Sequence, residues 1–196
     1  MAVALGRQLA KPEGAAGWLL SQVMRVVNRR PIRLTIAELQ VQPGDVVLDL
    51  GCGFGDAIPR LLSEAWSGSV HGIEHAIATA LAAKDRHPRA QVHIGSFLDL
   101  PFARASVDRI LAVNVAYFWH DHEPVLDELL RVLRPQGRLA VYVTEAGHLR
   151  RIGLDATGTH RLFDADALQE MLGPTANVKR IDAGFGVVGL IATLDR

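Results

Sequence analysis

The fold is decided by one stretch of the chain, Val46-Val47-Leu48-Asp49-Leu50-Gly51-Cys52-Gly53-Phe54-Gly55-Asp56. Its first half is a short apolar run rich in β-branched residues, which predicts a buried strand. The alternating glycines after it predict a tight turn into a helix that begins near Asp56. Glycine is needed in such a turn because it adopts positive φ and leaves room for a ligand against the backbone. An open α/β sheet binds its ligand at this place, beyond the carboxyl end of a strand.

The spacing of the glycines argues against a dinucleotide. A dinucleotide-binding turn reads G-x-G-x-x-G/A, and its last small residue packs the helix on the strand while the pyrophosphate lies at the helix N-terminus. Here that last position holds Asp56, whose carboxylate would compete with a pyrophosphate for the same helix end. A ligand with an amino-acid group beside a sulfonium fits better. The alternative is a strand–helix turn that binds no ligand.

The same residues carry a family resemblance. The run D-L-G-C-G-F-G-D at 49–56 resembles motif I of the class I S-adenosylmethionine (SAM)-dependent methyltransferases. Further family-like motifs follow at 95–102 (G-S-F-L-D-L-P-F) and 129–139 (L-x-x-V-L-R-P-x-G-x-L). Residues 12–28 resemble the P-x-G-x-x-G start of a subgroup of small class I methyltransferases. The resemblance implies a Rossmann-like, doubly wound, seven-stranded α/β sheet, mainly parallel, with a C-terminal antiparallel hairpin. It also implies S-adenosyl-L-methionine as the cofactor.

Composition bounds the class of protein. The chain has 196 residues with 21 basic and 21 acidic side chains, so it has no general attraction for nucleic acid or for an anionic membrane. It contains no apolar run near the ~20 residues that a membrane helix needs. A single cysteine, Cys52, excludes an internal disulfide and favours a cytoplasmic setting. We therefore expect a small-molecule methyl acceptor, no nucleic acid and no membrane, with a homodimer among the open alternatives.

We predict a single domain over residues 1–196. Residues 1–43 are expected to form a helical cap over the pocket, and residues 44–196 the SAM-binding sheet and helices. Within the cap, Pro31 is predicted to end one helix, and a second is predicted over 32–39. Residues 144–162 lack periodicity and predict a binding loop or lid. The family resemblance implies that this loop lies on the substrate side of the pocket.

Glu74 is the acid that best fits a ribose. It ends the second predicted strand, 19 residues after Gly55, close to the ~20-residue offset at which an acid in this fold contacts ribose hydroxyls. In the family that the motif at 95–102 resembles, an acid contacts the adenine amino group, and Ser96 stands at that position here. We expect the Ser96 hydroxyl or the Phe97 backbone to make this contact, with the Phe97 ring against the purine. The predicted cofactor-binding residues are Asp49, Gly51, Cys52, Gly53, Glu74, His75, Ser96, Phe97 and Asn114.

The substrate side is expected after the fourth predicted strand. There the pattern N-x-x-Y-F-W, residues 114–119, recurs in the same methyltransferase subgroup. We predict Tyr117 and His120 as catalytic residues, with Glu145 and His148 as further candidate bases. The predicted substrate-binding residues are Trp18, Trp119 and His148.

The run His120-Asp121-His122-Glu123 also suggests a metal site, but Pro124 and the helix pattern after it favour a helix start, so we predict no metal. The chain keeps only the two ends of an N-P-P-Y-type tetrad, Asn114 and Tyr117, which favours a small molecule over a nucleobase. The resulting hypothesis is a SAM-dependent methyltransferase acting on a small-molecule O, N or C nucleophile. The alternatives are a non-catalytic SAM-binding or partner-binding protein and, third, an NAD-dependent oxidoreductase.

Overall fold

The computed structural model describes residues 14–151 and 161–196, and side chains from residue 24 onward. The helices in these ranges are α1 (Gly14–Leu39), α2 (Ile58–Glu64), α3 (Ile77–Arg86), α4 (His122–Val132), α5 (Ala146–Arg151) and α6 (Ala165–Leu172), with a 3-10 helix at Ala116–Phe118. The strands are β1 (Val46–Leu50), β2 (Ser69–Glu74), β3 (Gln91–Ile94), β4 (Val107–Val113), β5 (Leu133–Thr144), β6 (Asn177–Gly184) and β7 (Val187–Asp195).

The strands form one seven-stranded sheet in the order β3-β2-β1-β4-β5-β7-β6. The pairs from β3 to β5 are parallel, whereas β7 runs antiparallel to both β5 and β6. This confirms the predicted fold class. Because β1 lies between β2 and β4, the strand order reverses beside β1, and a ligand cleft opens where it does so.

Strand β1 is buried on both faces, which is why it reads as a continuous apolar run. Leu48 and Leu50 belong to the larger core, under α4 and α6. Val47 points to the other core, which includes Ile36 and Leu39 from α1. The glycine loop that follows β1 is therefore anchored by a strand with no solvent-facing side.

The prediction that Pro31 separates two helices is wrong, because α1 runs unbroken from Gly14 to Leu39. A proline inside a helix removes one backbone hydrogen bond. Thr35 donates from Oγ1 to the Pro31 carbonyl at 2.8 Å, and Pro31 itself is buried. Burial of Ile36 and Leu39 in the core stabilises the helix beyond the proline by more than the lost bond costs.

Two further stretches differ from the sequence prediction. The Arg134-Pro135-Gln136-Gly137 turn lies within β5, with Gln136 at φ 66°. Residues 146–151 form α5 in the stretch predicted to be a loop; residues 152–160 lie outside the described part of the chain. None of the helices in the described ranges is both long and apolar enough to cross a membrane.

Candidate cofactor and substrate site

The glycines of the loop after β1 serve different purposes. Gly51 (φ 65°) is required by packing, because a Cβ there would lie 2.7 Å from Cγ2 of Val115. At Gly53 (φ 55°) a Cβ would meet no other atom within 4 Å. One glycine therefore allows the loop after β4 to approach β1, and the other presents bare backbone to open space, where a ligand can lie against it.

Glu74 holds the loop from the end of β2. Its carboxylate is almost fully buried, with 8% of the residue exposed. Oε2 accepts from the Gly53 amide at 3.1 Å, and Oε1 accepts from the Ala76 amide at 2.9 Å. His75 Nδ1 lies 3.0 Å from Oε1, with the imidazole otherwise exposed. These contacts fix the carboxylate at the carboxyl edge of the sheet, next to the glycine loop.

Asp49 places a second buried carboxyl group at the same edge. The residue is 4% exposed, and Oδ2 has no hydrogen-bond partner among the described residues. Burial raises its pKa to about 8, and the neighbouring carboxylates of Asp56 and Glu74 contribute to the rise. A carboxyl group without a partner in low-dielectric surroundings is stabilised by a cation. The electrostatics of this edge therefore suit a cationic ligand and oppose a pyrophosphate.

Cys52 contributes shape rather than reactivity. Its thiol is buried, and burial followed by the charges of Asp49 and Glu74 raises the pKa well above its ordinary value. The sulfur lies close to β2, since a Cβ on Gly72 would be 2.7 Å from it. A protonated thiol in this position packs the glycine loop onto the sheet.

The segment after β3 departs from the family pattern in its contacts too. Ser96 is exposed, and its Oγ accepts from the Leu98 amide at 3.1 Å. Phe97 is half-buried and lies edge-on to Trp119, with 6.4 Å between ring centroids. The serine hydroxyl thus closes a local turn where the family has an acid.

The loop after β4 is organised around Asn114. Its Nδ2 donates to Asn28 Oδ1 at 3.1 Å, and its Oδ1 accepts from the Tyr117 hydroxyl at 3.1 Å. That hydroxyl also accepts from the Thr144 amide. Tyr117 is 5% exposed, and burial raises its pKa above the ordinary value. A buried, protonated phenol is suited to donating a hydrogen bond, so this geometry favours a positioning role for Tyr117 over proton transfer.

The other predicted substrate-side residues differ in their exposure. Trp119 is fully buried in the larger core, so its ring reaches no surface on which a substrate could bind. His120, directly after it, is exposed, and His148 is half-buried on α5. The side chain of Trp18, on α1, lies outside the described residues.

One residue at the site was not predicted. Arg25 on α1 lies with Nε 2.9 Å from Asp56 Oδ1, so α1 contacts the glycine loop as well as Asn114. The sequence carried only a cluster of arginines on this helix, and that pattern is more typical of a solvated face. The ion pair also explains the acid at position 56, which neutralises Arg25.

The described residues contain no group of three His, Cys, Asp or Glu side chains arranged to hold a metal ion. His122, part of the run that suggested a metal site, has Nδ1 3.0 Å from an Arg161 guanidinium nitrogen. Two surface cavities lie elsewhere. One of about 520 Å³ includes Leu98 and Arg131, and one of about 370 Å³ includes Arg109 and Arg138. Neither is lined by the glycine loop or Glu74.

The chain is similar to known methyltransferases. Residues 48–141 match the family model described as a methyltransferase domain. The chain is 30% identical over 133 residues to the O-methyltransferase resE of Aspergillus sclerotiorum, covering 61% of this chain and 47% of that protein. It is 28% identical over 152 residues to trans-aconitate 2-methyltransferase of Variovorax paradoxus, covering 74% and 58%.

Among solved structures, a methyltransferase in complex with the Haloferax volcanii Trm112 methyltransferase activator has the same fold. The TM-score is 0.72 at 20% identity, covering 87% of this chain and 92% of that one. The chain spans about half the length of the curated relatives that it matches.

Residues 48–141 therefore carry a methyltransferase domain, and the sheet order, together with the glycine loop and its two buried carboxyl groups, agrees with the fold of the class I SAM-dependent methyltransferase family. The cofactor of that family is S-adenosyl-L-methionine, and the buried, unpartnered carboxyl group of Asp49 fits its cationic groups. The antiparallel β7 and the methyltransferase-domain match argue against an NAD-dependent oxidoreductase.

Proposed function

We propose that this protein transfers a methyl group from SAM to an O, N or C nucleophile of a small molecule. The observation that carries the proposal is the buried Asp49 carboxyl group, without a hydrogen-bond partner for Oδ2 among the described residues, beside a glycine loop with open space at Gly53. SAM supplies a methyl group on a positively charged sulfur. In this proposal Glu74 accepts from the ribose hydroxyls, and His75, Ser96 and Phe97 flank the adenine.

Methyl transfer is an in-line displacement, so the chain's task is mainly to hold the acceptor in line with the methyl group. Positioning of this kind can contribute several kcal/mol, up to ~7–11 in ideal geometry. An acceptor that carries a proton also needs a base, and the candidates are His120 and His148. Glu145 is less suited because its Oε2 is paired with Arg180 NH2 at 2.6 Å. Unchanged turnover in His120→Ala would remove His120 from the list.

The small-molecule acceptor is supported by the balanced charge of the chain and by relatives named as an O-methyltransferase and a trans-aconitate 2-methyltransferase. The proposal includes residues 1–43 as a cap over the pocket, with Trp18 on its substrate side. It also includes a cytoplasmic setting, because a lone cysteine suits a reducing compartment. A homodimer is one of the oligomeric states to be tested.

The alternative is a protein that binds SAM or a partner without turnover. It is supported by the fold similarity to a methyltransferase solved together with an activator protein. Transfer of labelled methyl groups from SAM to a fractionated small-molecule extract separates the two, because only an enzyme labels an acceptor.

The first test is thermal unfolding with SAM, S-adenosylhomocysteine (SAH) and NADH. A ligand at 100 times its dissociation constant adds about 2.7 kcal/mol to the free energy of unfolding. We expect a clear rise of the melting temperature with SAM and SAH and none with NADH. A rise with NADH alone would overturn the proposed cofactor site.

A further inference from the structure

Two residues hold the Asn114 side chain, one 86 positions away in the sequence and the other three positions away. Asn28 on α1 accepts from its Nδ2, and the Tyr117 hydroxyl donates to its Oδ1, each at 3.1 Å. We propose that Asn28 and Tyr117 are positioning residues that fix Asn114, and through it the loop after β4, against the cofactor loop. This inference rests on the proposed function, because it assigns these contacts to the shape of the SAM site.

Asn114 needs such support because of its backbone. Its φ is 59°, in the left-handed region that non-glycine residues adopt rarely and at a cost in energy. Asparagine tolerates this region better than most residues, and here the side-chain amide has a partner on its oxygen and on its nitrogen. The backbone is fixed as well, since the Asn114 amide donates to the Tyr142 carbonyl at 2.9 Å.

The next residue transmits this conformation to the cofactor loop. Val115 follows Asn114 and packs against Gly51 so closely that a Cβ on the glycine would lie 2.7 Å from Val115 Cγ2. The strands that precede these two loops, β1 and β4, are paired, with Leu50 opposite Ala112. A rotation at Asn114 would therefore move Val115 and change the space beside Gly51.

Tyr117 extends the same connection to β5. Its hydroxyl donates to Asn114 and accepts from the Thr144 amide, so it joins the 3-10 helix to the ends of β4 and β5. The ring is buried between the core and Phe163, with 6.4 Å between the two ring centroids. Because burial holds the ring in place, the position of the hydroxyl is set by the core and not by the loop that it supports.

Because Asn28 lies on α1, the geometry around Asn114 depends on the position of this helix. The same helix contacts the glycine loop through Arg25 and Asp56, so it spans both walls of the cleft. Displacement of α1 would break both the hydrogen bond to the side-chain amide of Asn114 and the ion pair between Arg25 and Asp56 at the glycine loop. The hydrogen bond from Asn114 to Asn28 therefore links the position of α1 to the conformation of the loop after β4.

The test compares Asn28→Ala, Asn28→Asp, Tyr117→Phe and the double variant of Asn28→Ala with Tyr117→Phe. Asn28→Asp keeps an oxygen that can accept from Asn114, and Arg33→Ala changes an exposed residue of the same helix as the matched control. Two quantities are measured: amide hydrogen exchange over residues 114–119 in the ligand-free protein, and the dissociation constant of SAH by calorimetry.

We expect Asn28→Ala and Tyr117→Phe to speed exchange in this segment and to weaken SAH binding by roughly three- to tenfold, the effect of one neutral hydrogen bond. The double variant should lose less than the product of the single effects, because the residues act on one group. Asn28→Asp and Arg33→Ala should resemble the wild type.

Amide exchange at 114–119 as slow as in the wild type, or SAH affinity equal to that of the control, would overturn the positioning role. Failure of the wild-type protein itself to bind SAH would overturn the proposed function, and this inference with it. Exchange in the ligand-free protein separates the two failures, since it reports on Asn114 without any cofactor.

Discussion

The ring of His87 packs directly against Gly55, so that a Cβ on this glycine would lie only 2.5 Å from His87 Cδ2. His87 follows α3, and Arg86 beside it donates to the Phe54 carbonyl at 3.3 Å. Burial lowers the pKa of His87, with a smaller contribution from Arg86. A neutral ring at the end of α3 thus supports the glycine loop at Gly55.

This contact predicts that two glycines of one loop respond differently to substitution. Both have positive φ, but only Gly55 has a neighbour that a methyl group would strike. Gly55→Ala should lower the free energy of unfolding by about 3 kcal/mol and Gly53→Ala by only about 1 kcal/mol. Gly53→Ala should instead weaken SAH binding more strongly. Urea denaturation and calorimetry measure both, and equal destabilisation would contradict the packing argument.

Asp49 predicts a pH dependence of the ligand-free protein. Its folded pKa, about 8, lies above the unfolded value, so the folded state binds the extra proton and stability declines as pH rises from about 4 to 8. Asp49→Asn should remove this decline and raise stability near pH 8 by at least about 1 kcal/mol. Denaturation at several pH values tests it. The same substitution should weaken SAM binding, and a stability curve of unchanged slope would refute the assignment.

Cofactor binding should release a proton for the same reason. A cation beside Asp49 favours the carboxylate, so the affinity for SAM should increase with pH up to about 8. Calorimetry in two buffers of different ionisation enthalpy measures the released proton directly. Asp45→Asn, which changes an acid outside the loop, is the control. Identical heats in both buffers would exclude proton release.

Glu74→Gln should both weaken ligand binding and lower the free energy of unfolding. The amide keeps the shape of the side chain but has one acceptor oxygen for the Gly53 and Ala76 amides. One buried donor is left unsatisfied, so we expect a loss of about 1–3 kcal/mol of stability and weaker SAH binding. Glu64→Gln, on the surface of α2, serves as the control. Unaltered SAH affinity would argue against a ribose contact.

His71 and His93 predict loss of stability in mild acid. Their ring nitrogens lie 3.3 Å apart, and Phe102 packs edge-on against both rings. Burial lowers both pKa values, and each ring also has a cationic or titrating neighbour, His93 for His71 and Lys84 for His93. Below about pH 6.5 the unfolded chain binds more protons, so stability falls as the pH is lowered.

His93→Gln should reduce the loss of stability between about pH 7 and pH 5, measured by denaturant unfolding at both values. His120→Gln, at an exposed position, should leave that difference as it is in the wild type. This prediction would be contradicted if His93→Gln and the wild type lost the same free energy of unfolding between about pH 7 and pH 5.

Substitution of Trp119 tests whether this residue belongs to the core or to the substrate site. It is fully buried, and its indole nitrogen has no hydrogen-bond partner among the described residues. Trp119→Ala should cost about 3–5 kcal/mol of stability. Trp119→Phe should cost less, because no hydrogen bond is lost, and should leave SAH affinity unchanged. A large change in affinity with little change in stability would restore Trp119 to the substrate site.

The sequence predicted the architecture because local and global signals agree along the sheet. The β-branched run before Gly51 and the acid that ends β2 each indicate one strand and one loop, whereas the seven-stranded count followed from the resemblance of the motifs to the class I methyltransferases. Pro31 was misinterpreted for the opposite reason. Local propensity predicts a break there, but burial of Ile36 and Leu39 outweighs it.

The contacts within the site were less predictable, because they join residues far apart in the chain. Asn28 and Asn114 are separated by 86 positions, and no periodicity relates them. Arg25 and Asp56 each have an ordinary local explanation, as a solvated helix residue and as an acid near a helix start. Trp119 shows the converse: an aromatic beside a predicted catalytic residue suggested a ligand contact, but the side chain is fully buried in the larger core, whose other members come from distant parts of the chain.

The antiparallel β7 lies between β5 and β6, although it follows both in the chain. During synthesis, therefore, β6 leaves the ribosome before the strand that attaches it to the sheet, and the edge of β5 stays open until β7 arrives. Pairing of Leu139 with Leu194 closes a long stretch of chain, and non-local contacts of this kind form slowly. Chains interrupted before residue 187 would expose that edge and are expected to aggregate.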